Sequence, residues 1–154
     1  MTAAIDARLA ELGLSLPDAP APAANYVPWV RTGNLVHVSG QISQGAGGFI
    51  TGKLGQDLSV DEGAAAARAC ALSLLAQVRA ACGGDLGRLR RVVKLTGFVN
   101  STPDFTDQPK VVNGASDTLV AILGEAGRHA RSAVSAASLP FGVAVEIEGI
   151  FEVE

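Results

Sequence analysis

The spacing of apolar residues predicts a helix at the start of the chain and an extended connector after it. Ile5, Leu9 and Leu12 fall on one face of a helix within residues 1–16. Proline in a helix interior removes a hydrogen bond and clashes with the preceding turn. Four prolines follow the predicted helix, at Pro17, Pro20, Pro22 and Pro28. Residues 1–24 are therefore predicted to be an N-terminal helix and a proline-rich connector.

Alternating and β-branched residues predict strands in the next part of the chain. The segments YVPWVR and LVHVSGQI are joined by a short turn at residues 32–34. A third apolar segment, residues 49–51, follows a glycine-rich stretch. The pattern predicts two or three antiparallel strands.

Two long helices are predicted further along. Ser59 and Glu62 have the spacing of a capping box, and the alanine-rich run after them stops at Gly83 and Gly84, where a left-handed cap is expected. The segment VVNGASDTLVAILGEAG has apolar residues at helical spacing and predicts the second helix.

Three further segments read as strands: RVVKLTGFVN between the two helices, then RSAVSAA and VAVEIEGIF. The order β-β-β-α-β-α-β-β favours one α/β domain over residues 25–154. Its simplest packing is a mixed sheet of about six strands with both long helices on one face. No element is left to cover the other face, so we expect self-association there.

Composition fits one globular domain and argues against a nucleic-acid-binding protein and against a membrane protein. The 154 residues are 18% charged, below the roughly 25% of typical soluble domains, which again favours an oligomer. The net charge of −3 disfavours nucleic acid as a partner. No stretch looks like a secretory leader or a membrane span, and Cys70 and Cys82 lie too far apart on one predicted helix to form a disulfide. We expect a soluble cytoplasmic protein with reduced cysteines.

Two weaker motifs favour structural interpretations. Residues 47–53 match the first seven positions of a phosphate-binding loop, but Leu54 replaces the metal-binding hydroxyl, so a glycine-rich hairpin is preferred. His37 and His129 have no partner at metal-ligand spacing, so no metal site is expected. A ribonuclease that uses the two histidines stays open, although isolated histidines are more often structural.

The last two predicted strands carry the most informative charged residues. Arg131 shares a strand face with the small residues Ala133 and Ser135, which leaves room for a ligand. The planar guanidinium suits a carboxylate. Glu146 and Glu148 share a face of the last strand. The alternative interpretation is a structural Arg131–Glu146 ion pair at a subunit interface.

These segments carry a family resemblance. Over about residues 25–151 the chain resembles the Rid family of reactive-intermediate deaminases, also called YjgF-like or L-PSP proteins. The matching segments are NYVPWVRTGNLVHVSGQIS, VVKLTGFVN and ARSAVSAASLPFGVAVEIEGIF. The resemblance implies a chorismate-mutase-like fold and a homotrimer with three sites at the subunit boundaries.

The resemblance also implies roles for single residues. Arg131 matches the arginine that grips a substrate carboxylate, and Glu146 matches the glutamate that positions or activates water. Tyr26, Ser39 and Asn113 match further pocket positions. The implied reaction uses no cofactor: an enamine or imine derived from an amino acid is hydrolysed to a 2-oxo acid and ammonia.

Three departures from the family pattern point to a divergent subgroup whose substrate is open. Ala133 replaces a common cysteine, a helix precedes the shared region, and an insertion around residues 107–110 is expected to lengthen the loop before the second long helix. Two other functions are kept as alternatives. One is a non-catalytic trimer that binds a small carboxylate, and the other, less favoured, is an endoribonuclease.

Overall fold

The structure is a computed structural model that describes residues 2–21 and 24–154. Its helices and strands follow one another in the order α1 (Thr2–Glu11), β1 (Trp29–Thr32), β2 (Leu35–Ile42), β3 (Gln44–Gly45), β4 (Gly48–Phe49), α2 (Val60–Ala81), β5 (Leu89–Asn100), α3 (Gln108–Leu123), β6 (Ala130–Ala136) and β7 (Val145–Val153). Short 3-10 turns lie at Leu86–Arg88, Gly124–Gly127 and Pro140–Gly142.

The main sheet has the strand order β1-β2-β7-β5-β6. β5 and β6 are parallel and every other neighbouring pair is antiparallel, so the predicted mixed α/β sheet is confirmed. The sheet has five strands rather than about six, because the third predicted strand pairs with β3 in a separate two-stranded hairpin. The turn between β3 and β4 is short and rich in glycine. Gly48, the first residue of β4, has a φ of 106°, which favours glycine.

The helix boundaries follow from local chemistry. The backbone N–H of Glu62 donates to Ser59 Oγ at 3.1 Å, and the N–H of Ser59 donates to Glu62 Oε1 at 3.0 Å, which confirms the capping box. α2 ends at Ala81, and Gly83 and Gly84 follow with positive φ, as predicted.

α3 corrects one expectation. Asp107 is its N-cap and Pro109 lies in its first turn, so residues 107–110 start the helix instead of lengthening the loop before it. Proline is well suited to the first turn because its fixed φ is already helical and its missing N–H has no partner there.

The helices cover one face of the sheet. The core between them includes Leu74, Leu75, Leu95, Ile147 and Phe151. α1 adds Leu9 to this core, and the Nε–H of Arg8 donates to the Ala121 carbonyl at 2.8 Å. The opposite face, here called the open face, presents exposed side chains that include His37, Lys94, Val134 and Glu148. None of the helices in the described residues is long and apolar enough to cross a membrane.

Candidate functional site

A cavity of about 310 Å³ opens beside Glu146 and is here called the Glu146 cavity. It brings together three residues predicted from the sequence: Tyr26, Ser39 and Glu146. The rest of its wall comes from the connector, β2, the hairpin and the β6–β7 turn, and includes Pro20, Pro28, Gly40, Gln41, Ile42, Gln44, Phe49, Pro140 and Phe141.

Glu146 is the only acidic residue among the described residues of the cavity wall. It lies on β7, between Ile42 of β2 and Phe98 of β5, and is half-buried. Its carboxyl makes no hydrogen bond or ion pair with the residues that the structure describes. Burial, and secondly the nearby Glu148 carboxylate, raise the pKa of Glu146 above its ordinary value. A carboxyl of this kind exchanges protons closer to neutral pH than an ordinary glutamate does.

Gly40 makes room for the Glu146 carboxyl. The register of β2 against β7 shifts between Val38 and Gln41, which marks a bulge at residues 39 and 40. A Cβ at Gly40 would lie 2.8 Å from Glu146 Oε1 and 3.0 Å from its Cδ. The backbone of the bulge therefore approaches the carboxyl as closely as only glycine allows.

Ser39 fixes the segment that carries Tyr26. Its backbone N–H donates to the Pro28 carbonyl and its hydroxyl donates to the Val27 carbonyl, both at 2.9 Å. Tyr26 itself is 53% exposed. Ser39 therefore lines the cavity as predicted, but its hydroxyl proton is used within the protein.

The proline-rich connector is anchored to the same cavity. The amide of Gln77 on α2 donates to the Pro20 carbonyl at 2.7 Å and lies 3.4 Å from Gln41 Oε1. The amide of Gln41 donates to the Ser39 carbonyl at 2.9 Å. These buried amides join α2, the bulge and the connector, so the proline-rich connector helps to build the cavity.

The other two predicted site residues, Arg131 and Asn113, contact each other outside the Glu146 cavity. Arg131 Nη1 donates to Asn113 Oδ1 at 2.8 Å and to Ser116 Oγ at 3.1 Å. His129 Nε2 lies 2.9 Å from Ser116 Oγ, and its Nδ1 lies 2.6 Å from the Gly127 carbonyl. These four residues, from α3, β6 and the segment just before β6, are here called the Arg131 cluster.

The hydrogen bonds of the cluster define its proton positions. A carbonyl only accepts, so His129 Nδ1 carries the ring proton and Nε2 accepts from Ser116 when the ring is neutral. Burial is the main cause that lowers the pKa of His129, with the Arg131 charge acting in the same direction and the bond to Gly127 opposing them. Neutral His129 therefore holds the Ser116 hydroxyl with its lone pairs toward Arg131.

One edge of the Arg131 guanidinium is free. Both Nη1 protons are used by Asn113 and Ser116, whereas Nε and Nη2 have no partner among the described residues. The Nε–Nη2 edge is one that binds a carboxylate through two parallel hydrogen bonds. Arg131 also makes no ion pair with any carboxylate in the described part of the chain.

The Arg131 cluster and the Glu146 cavity lie on opposite faces of the sheet. Arg131 pairs with Leu95, which faces the helices, and Glu146 pairs with Phe98, three residues further along β5 and on the open face. β5 separates β6 from β7, so the strands are about 10 Å apart. Arg131 and Glu146 of one chain do not meet, and an ion pair between them would need two chains.

The two histidines are also kept apart. His37 lies on β2, three strand spacings or about 14 Å from β6, and on the open face, whereas His129 bonds to α3. No group of three potential ligands in residues 2–21 and 24–154 could hold a metal ion.

Residues 47–53, which match part of a phosphate-binding loop in sequence, do not form such a loop in the structure. Residues 47–53 include β4, the second strand of the β3–β4 hairpin, as preferred from the sequence, and no helix starts until Val60. The Lys53 ammonium donates to Asn100 Oδ1 at 2.7 Å and to the Ala137 carbonyl.

Sequence reasoning missed several residues of the site. Gly40 sits within the SGQI segment, but only the bulge shows why a glycine is needed there. Phe49 and Phe141 are large apolar residues in glycine-rich turns, and that unusual context was the available signal. Ser116 offered no signal, since a serine within a helix is common.

Comparison with known proteins decides the family. The family model described as "YjgF/chorismate_mutase-like, putative endoribonuclease" matches residues 6–148, which is most of the chain. This chain belongs to the YjgF/chorismate-mutase-like family. The family and fold predicted from the sequence are therefore confirmed.

Three known proteins are similar to this chain over nearly its whole length. Protein TCP17 of Trypanosoma cruzi is 55% identical over 150 residues, covering 96% of this chain and 93% of that protein. The crystal structure of Atu1372 from Agrobacterium tumefaciens, a protein of unknown function, is 50% identical with a TM-score of 0.93 and covers 99% of this chain and 94% of its own. A Shewanella oneidensis structure named a "putative endoribonuclease" is 35% identical with a TM-score of 0.92, covering 97% and 99%. The family model begins at residue 6 and the match to Atu1372 takes in nearly the whole chain, so the similarity extends into the N-terminal helix and is not limited to residues 25–151.

Proposed function

We propose that this YjgF-like protein hydrolyses enamines or imines of amino acids to 2-oxo acids and ammonia, without a cofactor. The observation that carries the proposal is the unpaired Glu146 carboxyl in a cavity, with a raised pKa. Hydrolysis of an imine needs a group that accepts a proton from water and returns it to nitrogen. A glutamate that exchanges protons nearer to neutral pH suits both steps.

Arg131 supplies the anchor for the substrate. Its free Nε–Nη2 edge binds the carboxylate, while Asn113 and Ser116 hold the other side of the guanidinium. Anchoring fixes the imine carbon relative to Glu146, which reduces the entropy lost in reaching the transition state.

The site is completed by a second chain. Arg131 faces α3, where Asn113 lies, while Glu146, Tyr26 and Ser39 line the open-face cavity, so no single chain brings together all the groups that the reaction uses. We therefore propose a homotrimer in which the Arg131 cluster of one subunit lies beside the Glu146 cavity of its neighbour. Light scattering that shows a stable monomer at micromolar concentration would contradict this arrangement.

The chemical steps follow from these positions. An enamine first tautomerises to the imine, which is protonated on nitrogen. Glu146 takes a proton from water as the water oxygen bonds to the imine carbon and the C=N electron pair moves to nitrogen. Glu146 then returns the proton to nitrogen, the C–N bond breaks, and the hydroxyl proton passes to solvent. The products are the 2-oxo acid and ammonia.

The test is the release of ammonia from freshly generated 2-aminoacrylate and 2-aminocrotonate, with and without the protein. We expect acceleration by the protein and its loss in Glu146→Gln. Equal rates with and without the protein for both compounds would overturn the proposal.

A non-catalytic protein that binds small carboxylates is the second candidate. The free edge of Arg131 favours it, because recognition needs Arg131 and not the proton chemistry of Glu146. A ribonuclease is suggested by the names of relatives. Both ring nitrogens of His129 are already hydrogen-bonded within the chain, which argues against a two-histidine mechanism, and the net charge of −3 argues against RNA binding. Both cysteines are free and buried, which fits the cytoplasmic location that we propose.

A further inference from the structure

We propose that the Glu146 cavity selects substrates whose side chain is aromatic or bulky and apolar, and that Phe49 and Phe141 form the surface that binds this side chain. The inference rests on the proposed function and names its substrate class. It concerns residues that the recognition of the carboxylate and the proton chemistry do not use.

The two phenylalanine rings form an exposed aromatic surface in the cavity wall. Their centroids are 5.1 Å apart and their planes differ by 22°, so the rings are stacked. Phe49 is nevertheless 47% exposed and Phe141 is 68% exposed. Aromatic surface left open to water in a cavity is a binding surface for apolar groups, because covering it removes apolar area from water.

The backbone of Phe141 is held in a conformation that favours glycine. Its φ is 58° and its ψ is 14°, and it is the sole non-glycine residue with positive φ in residues 2–21 and 24–154. The left-handed region is costly for a residue with a Cβ, and a bulky side chain there is uncommon. Such outliers cluster at ligand-binding sites, where function outweighs the cost to stability.

Neighbouring segments hold this turn in place. The Gly52 N–H donates to the Gly142 carbonyl at 3.1 Å, and Thr51 forms a β-bridge with Val143. Lys53 donates to the Ala137 carbonyl at the start of the same turn. These bonds tie the chain just after Phe49 to the chain on both sides of Phe141, so the ring pair is positioned before a ligand arrives, which lowers the cost of binding.

The size and lining of the cavity fit an aromatic side chain beside a small polar group. A volume of about 310 Å³ is at the lower end of the range for small-molecule sites, about 300–1,000 Å³. Tyr26, Ile42 and three prolines supply further apolar surface, and polar groups lie near Glu146. A methyl or ethyl side chain would leave most of this apolar wall uncovered.

The kinetic test compares two substrates that share the same reacting centre. One is the imine of phenylalanine, generated by an amino-acid oxidase, and the other is 2-aminocrotonate. We expect kcat/KM to be at least about tenfold higher for the phenyl substrate, since a single methylene in a hydrophobic pocket is worth about tenfold or more. Phe141→Ala and Phe49→Ala should each remove about tenfold from the phenyl substrate and less than twofold from 2-aminocrotonate. Phe141→Tyr keeps the ring and should keep the preference.

A binding measurement tests the inference without any reaction. Calorimetry with 3-phenylpropanoate and propanoate should show tighter binding of the phenyl compound, and Phe141→Ala should abolish the difference. Equal affinities in the unaltered protein would overturn the inference. Inactivity toward all imines with this preference intact would overturn the proposed hydrolysis and not the aromatic surface.

Two variants at one position separate the ring from the backbone. Phe141→Ala and Phe141→Gly both remove the ring, but only glycine adopts a φ of 58° freely. We expect Phe141→Gly to have a Tm about 2 to 4 °C above that of Phe141→Ala, with the same loss of preference. A preference retained in both variants would overturn the role of the ring.

Discussion

The Arg131 cluster and the Glu146 cavity differ in how their charged groups are held. Arg131 is surrounded by polar partners that fix one edge of its guanidinium and leave the other free. Glu146 has no polar partner among the described residues and is bounded by a glycine bulge and apolar side chains. A hydrogen-bonded cation with a fixed geometry suits recognition, whereas an unpaired half-buried carboxyl suits proton transfer. The difference supports our proposal that one face of the sheet binds the substrate carboxylate and the other carries out the proton transfer.

The largest effect is expected from replacing Glu146, the residue proposed to transfer the proton, and it is an effect on the reaction rate. Glu146→Gln keeps the shape of the side chain but removes its ability to take up a proton. The rate of imine hydrolysis should fall by roughly two to four orders of magnitude, while the affinity for 3-phenylpropanoate changes by less than a few fold. Glu148→Gln is the matched control, because Glu148 lies two residues further along the same strand and is exposed. An unchanged rate in Glu146→Gln would favour the carboxylate-binding protein.

Replacing Arg131, the residue proposed to bind the carboxylate, should instead act mainly on ligand affinity. Arg131→Ala should weaken carboxylate binding by about 10- to 100-fold, the equivalent of about 1.5 to 3 kcal/mol for a charge-assisted contact. Arg131→Lys keeps the charge but loses the two-pronged edge, so it should rescue only part of the affinity. Calorimetry gives the dissociation constants, and circular dichroism checks that both variants fold. Unaltered affinity in a folded Arg131→Ala variant would contradict the assigned role.

A smaller effect on rate is expected from Gly40→Ala. The added Cβ would lie 2.8 Å from Glu146 Oε1, and because the carboxyl is the flexible end of a side chain, it is the group that moves. Since small displacements of a reacting group are costly, kcat should fall by about tenfold, with little change in Tm. A normal kcat would show that the position of the carboxyl against the bulge is unimportant.

The smallest expected effects are on thermal stability, and they have opposite signs for the Glu146 and Arg131 variants. Burial raises the pKa of folded Glu146, so the folded state binds this proton more tightly than the unfolded state. The resulting stabilisation is present below the unfolded pKa, about 4.3, and is lost as pH rises through the folded pKa. Glu146→Gln should therefore raise Tm at neutral pH, with no gain near pH 4.

Arg131→Ala should lower Tm instead, by about 2 to 4 °C, because it removes hydrogen bonds to Asn113 and Ser116. Thermal unfolding followed at both pH values measures the two variants side by side. A drop in Tm for Glu146→Gln at neutral pH would contradict the statement that its charge is unpaired.

Local chemistry made much of the fold predictable. The capping box at Ser59, the glycine stop of α2 and the alternation that places Glu146 and Glu148 on one face all depend on residues close in sequence. The resemblance over residues 25–151, most specific in its last two strands, led to the family and to the five site residues that we expected, although their roles stay predictions.

The features that escaped prediction depend on contacts distant in sequence. The opposite placement of Arg131 and Glu146 requires the strand order β7-β5-β6, which no local pattern determines. The need for glycine at residue 40 arises from a carboxyl more than a hundred positions away. The conformation of Phe141 is held by bonds to residues 51–53, so its sequence neighbours could not reveal it.

The central claim is that two chains together form each site, and complementation between variants tests it most directly. Arg131→Ala and Glu146→Gln chains are purified, mixed in equal amounts, unfolded and refolded together, and assayed for imine hydrolysis. In a randomly mixed ring, roughly one quarter of the boundaries pair an intact Arg131 from one chain with an intact Glu146 from its neighbour. We predict that the mixture, assayed at subsaturating substrate, recovers about a quarter of the unaltered activity, while each variant alone stays well below that level. A mixture as inactive as its separate components, with mixed oligomers demonstrated by mass spectrometry, would contradict the account.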